Sequence, residues 1–70
     1  MSPKKVYENA LKDLGGKDDA RTEKPWEFAK IKREYASTMN NGAPQQAMLK
    51  LAETIEAEAR AAKIPEPRGH

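Results

Sequence analysis

Trp26, Lys30 and Arg33 recur at i, i+4 and i+7, so a helix through them would carry an indole and two cations on one face. A ring flanked by cations suits insertion into a pocket of a protein partner, or stacking on a base; it supplies no bond-breaking chemistry. Arg21 and Lys24 lie just upstream and extend the patch as its rim. The patch depends on an indole that faces water, away from an inner stripe made by Phe28, Ile31, Tyr35 and Met39. The competing placement follows from Pro25: a Trp one residue after it can cover the N-terminal end of a small core or pack beneath residues 16–21.

Lys24, Lys30, Lys32 and Arg33, with Arg21, also form the most basic run in the chain, and phosphate contacts need cations more than any motif. Glu23, Glu27 and Glu34 interrupt that run. Carboxylates there repel a phosphate backbone but fit a mixed-charge protein interface, where they fix register and reject wrong partners. The expectation is therefore a protein partner, with a small helical DNA- or RNA-binding module as the alternative.

Catalytic and metal chemistry find no such grouping. The single histidine, His70, stands last, and Ser2, Thr22, Ser37, Thr38 and Thr54 have no base beside them. Ser37 and Thr38 are placed to bond to their own helix backbone. Asp13, Asp18 and Asp19 lack the alternating spacing of a calcium loop, and Gly15-Gly16 lacks the context of a phosphate-binding loop. The expectation is no enzyme, no cofactor, no metal and no small-molecule substrate.

The elements that must position these residues read as helices. Ser2-Pro3 is a helix start, Val6, Tyr7, Ala10, Leu11 and Leu14 form one apolar face, and Gly15 is a stop, predicting a helix over about 3–14. Residues 16–21, GKDDAR, are charged and lack large apolar side chains, which predicts an exposed connection with no core-facing residue. A second helix is expected over about 24–40, its start drawn between Thr22 as the better cap and the demand that Pro25 lie in the first turn. Asn40-Asn41-Gly42 ends it in a tight turn, and a third helix over about 44–63 returns antiparallel to it. Pro65 stops that helix; residues 65–70 are expected as a flexible tail, with Ile64 free to tuck back. Leu49 lies off the main face of the third helix, where an ordinary exposed leucine or a contact for a second subunit is expected.

Seventy residues make one domain, here 1–64, with an all-α three-helix bundle as the fold. So short a chain buries only roughly 60% of its unfolded surface, and eleven of its hydrophobic residues are alanine, so the core is small or completed by binding. Cysteine is absent, the N-terminal stretch has no uninterrupted apolar region, and no run approaches a membrane span. The expected location is the cytoplasm, without membrane contact. In length, helical unity and lack of catalytic groups the chain resembles, in style only, the small regulators, many phage-encoded, that bind and redirect a large host machine such as RNA polymerase or a defence nuclease. No motif carries that likeness, so no family's functional residues are transferred.

Overall fold

The computed structural model describes residues 2–40 and 42–67, and its regular structure is helical throughout: α1 (Pro3–Asp13), α2 (Lys17–Glu23), α3 (Pro25–Ala36) and α4 (Ala43–Ala61). The all-α class is as expected. The expected three helices are four among the described residues, because the segment taken for an exposed connection is α2.

The start of α1 follows from its capping residues. Ser2 is extended, its hydroxyl accepts from the Lys5 N–H at 3.3 Å, and Pro3 occupies the first position. Gly15 and Gly16 then take positive φ, 96° and 100°, a conformation that side chains disfavour. Their N–H groups donate to the Lys12 and Leu11 carbonyls at 3.0 and 2.9 Å, which satisfies two terminal acceptors of α1. The Gly16 carbonyl in turn accepts from the Ala20 N–H at 2.9 Å, so the same glycine pair that ends one helix opens the next.

Local electrostatics support α2 without large apolar residues. Asp18 and Asp19 sit in its first turn and Arg21 in its last, both favourable to the helix dipole. Ala20 is fully buried and belongs to the core cluster, so this helix does have a core-facing side chain, and that side chain is a methyl group. Thr22 is an interior residue whose hydroxyl donates to the Asp18 carbonyl at 3.2 Å. Lys24 both ends α2 and begins α3, and Pro25 takes the first position of α3.

The second expected helix ends earlier than Asn40. α3 stops at Ala36, and tighter turns carry the chain on, with the Thr38 and Met39 N–H groups donating to Tyr35 and Ala36 at 3.0 Å each. Ser37 and Thr38 donate to the Glu34 and Tyr35 carbonyls at 2.7 and 2.6 Å, as expected of them. Gln45, from the first turn of α4, reaches across to donate to the Ala36 carbonyl at 2.8 Å and so caps the end of α3 from outside. Asn41 of the expected tight turn lies outside the described residues, as do Met1 and residues 68–70 of the expected tail, His70 among them.

α3 and α4 run antiparallel: Trp26 meets Ile64, Arg33 meets Glu56 and Ala36 meets Gln45. Ala29 and Ala36 on α3 and Ala52 and Ala59 on α4 are all buried, and such small side chains let two helices approach closely. Phe28 and Ile55 are the large side chains fully enclosed, with Leu11, Leu14 and Leu51 packed against them. α1 lies on α3 and buries no residue completely, and α2 touches both. The buried stripe of α3 is Pro25, Phe28, Ala29, Lys32 and Ala36, displaced by about one residue from the expected one. Ile31, Tyr35 and Met39 are only half-buried. Leu49 is likewise half-buried.

Candidate functional site

Pro25 fixes the first turn of α3, and the helical repeat then places Trp26, Lys30 and Arg33 in one trough of about 310 Å3. Glu27 of α3, Glu56 of α4 and Glu66 and Pro67 beyond α4 complete its lining. Three of the five expected site residues are therefore brought together. The other two are not part of the trough. Arg21 is held by Glu58 of α4, its Nη2 3.0 Å from both carboxylate oxygens and its Nε 3.2 Å from one, in an exposed clasp. Lys24 is exposed at the α2–α3 junction.

Trp26 does not face water. It is 8% exposed, its Nε1–H donates to the Ile64 carbonyl at 2.9 Å, and the Arg60 guanidinium lies over its ring at 5.4 Å. This corrects the expected outward indole. Its hydrogen-bond and cation partners come from Arg60 in the last turn of α4 and from Ile64, three residues past the helix. Arg33 forms a bidentate pair with Glu56, Nη2 to Oε1 at 2.6 Å and Nη1 to Oε2. That hydrogen-bonded carboxylate raises the Arg33 pKa above its ordinary value, against a smaller opposing effect of burial. Lys30 is exposed and has no carboxylate partner among the described residues, so it is the unspent cation of the trough.

Lys32, expected among the surface cations, is buried. It is 4% exposed, with Nζ 2.8 Å from the Tyr7 hydroxyl, 3.8 Å from Met48 Sδ and 4.6 Å from the centre of the Phe28 ring. Aromatic faces and a hydroxyl stand where a carboxylate would be usual. Burial, and secondarily the charges of Lys17 and Arg21, push its amine below the ordinary lysine pKa. The Tyr7 phenol is pushed up by the same burial, against a smaller opposing effect of Lys17. With Lys32 enclosed and Arg21 and Arg33 paired, the basic run offers far fewer free cations than its composition implies. The missed signal was position: Lys32 is four residues after Phe28, on the inner face.

Replacing Lys32 by Met keeps the volume and removes the ion. The Lys32→Met chain is expected to be more stable by about 1 kcal/mol at neutral pH, since an apolar isostere escapes the desolvation cost. At this length that raises Tm by about 4–8 °C. Because the folded chain binds the Lys32 proton less tightly than the unfolded chain, native stability should rise with pH from the depressed Lys32 pKa toward the ordinary lysine pKa of about 10.4. The Tyr7 shift acts in the opposite sense, but only above about pH 10, where an unfolded tyrosine loses its proton. The Met variant should lack the rise below that pH. Thermal melts across the alkaline range check both; a lower Tm for Lys32→Met at neutral pH would mean that the contacts with Tyr7 and the rings outweigh the desolvation.

A second groove, unmarked in the sequence, lies between α1 and α3. Tyr7 and Tyr35 stack at 4.6 Å in its wall, Pro3, Ala10 and Ile31 line it, and Val6 at its edge is 53% exposed. Among the described residues, no helix is long and apolar enough to cross a membrane. Comparisons with protein-family models, curated proteins and solved structures find no match, so the functional reading rests on the geometry above.

Proposed function

We propose that this chain is a small non-catalytic regulator that acts by binding a protein partner, of the kind that occludes or locks a surface on a larger machine. The observation that supports this is the convergence of Trp26, Lys30 and Arg33 on one trough, with Lys30 exposed and uncommitted beside the paired Arg33 and Glu56. Trp26 is shielded by its own chain, so the surface that the trough offers a partner is its charged rim, with Lys30 as the exposed cation. Mixed charge around it favours orientation and selectivity over bulk affinity.

Capture from host lysate, with and without nuclease treatment, using the intact chain and Lys30→Glu, tests the reading. A protein retained by the intact chain should bind the variant about tenfold more weakly, a loss of roughly 1.4 kcal/mol. Equal retention by both chains, or retention that vanishes with nuclease, removes the trough as a protein-binding surface.

A further inference from the structure

Residues 64–67, Ile-Pro-Glu-Pro, lie outside any helix, and Glu66 and Pro67 line the trough with Trp26. Lys63 sets their entry: its φ of 60° is the left-handed conformation, which costs a non-glycine residue about 1 kcal/mol. The Lys63 and Ile64 N–H groups close that turn by donating to Arg60 and Ala59 at 3.0 Å each. The turn brings the Ile64 carbonyl within 2.9 Å of the Trp26 Nε1–H. Beyond Ile64, no hydrogen bond among the described residues ties this strap to the helices, and its two prolines carry no N–H to offer.

A donor on an aromatic wall, paired with the carbonyl just before a proline, is a means of reading proline-rich peptides. Their extended backbone has no internal hydrogen bonds, so its carbonyls are available, and the fixed φ of proline lowers the entropy lost on docking. We infer that the Trp26 trough is a receptor for an extended x-Pro-x-Pro segment of the partner protein, with an acidic residue between the prolines, and that residues 64–67 occupy it in cis as a displaceable strap. This rests on the trough being the partner-binding surface. Charge supports the acidic preference: Lys30, Arg33 and the overlying Arg60 outnumber Glu27 and Glu56, and Glu66 of the strap balances the excess. The strap leaves about 310 Å3 unfilled, so a segment with larger side chains gains contacts that Ile-Pro-Glu-Pro does not make.

The chain has one tryptophan, so indole fluorescence reports this trough alone. The probes are a blocked peptide containing Ile-Pro-Glu-Pro twice in tandem and its counterpart with every proline replaced by alanine. Each is titrated into the intact chain and into the full-length Pro65→Ala/Pro67→Ala variant, whose helix content is checked by circular dichroism. The proline peptide should shift the emission saturably in both chains and bind the variant about tenfold more tightly, as expected when a strap closed about 90% of the time ceases to compete. The alanine peptide should give no saturable shift. If the variant loses its helices, a saturable, proline-dependent shift in the intact chain carries the same meaning.

No saturable shift in either chain, or equal binding of the alanine peptide, overturns the inference and leaves the strap a fixed cover on Trp26. Concentration-dependent dimers in light scattering, abolished by the double substitution, also overturn it and assign the trough to a second copy's strap. Failure with peptide while lysate capture still depends on Lys30 refutes the peptide assignment alone; failure of both removes the binding surface itself.

Discussion

Substituting Asp for Ala20 is expected to remove a large share of the chain's stability. Ala20 is fully buried in the cluster with Phe28, Ala29, Ala52 and Ile55, so the new carboxylate has no water and no cation within that cluster to meet. An uncompensated buried charge costs about 3 kcal/mol or more, a large share of the stability available to a domain this short. Chemical denaturation followed by circular dichroism gives the value. Ala20→Gly is the control: it should cost about 1 kcal/mol through helix propensity while leaving the fold intact. An Ala20→Asp chain as stable as the parent would show that α2 does not dock as described and that residues 17–23 behave as the exposed connection their composition suggests.

Replacing Phe28 by Ala should cost more, about 4 kcal/mol. The ring is 1% exposed and is one of the two large side chains fully enclosed, and losing it removes both its transfer free energy and the contacts around the cavity left behind. It also takes away one of the two rings facing the Lys32 amine, leaving that ion with Tyr7 and Met48. Two effects therefore act together at one position. Combining Phe28→Ala with Lys32→Met should recover more than the roughly 1 kcal/mol that Lys32→Met contributes alone, and additive effects of the two substitutions would deny the coupling.

Ala20 and Lys32 mark where sequence and structure part, while Phe28 is buried as its place in the expected stripe requires. The capped start at Ser2-Pro3, the stop at Gly15, and the prolines that open α3 and α4 are backbone signals a few residues wide, and they are legible as such. α2 was not legible because its buried contribution is a single methyl group, which an apolar pattern built on large side chains does not register. For the same reason the stripe of α3 was read one residue away from its place: Ala29, Lys32 and Ala36 carry no apolar signal yet face inward. The grouping of Trp26, Lys30 and Arg33 was legible from spacing. What surrounds each of them was not. Trp26 is covered by a carbonyl 38 residues later, Arg33 is paired with a carboxylate 23 residues later, and Arg21 is drawn off the rim by one 37 residues later. The short turn before α4 encodes the antiparallel return, but which side chains then meet depends on the rotation and register of α4 against α3, which no local pattern encodes.

The buried alanines along α3 and α4 act as spacers. Arg33 with Glu56 bridges this same helix pair and Trp26 ties α3 to Ile64 just beyond it, so buried methyl groups set how wide the trough is. Change at Ala29, Ala36, Ala52 or Ala59 is consequently one-sided: anything larger wedges the pair apart, at about 1–3 kcal/mol, and stretches both bridges together. The width of the trough is thus set from inside the molecule, by side chains that never reach its surface.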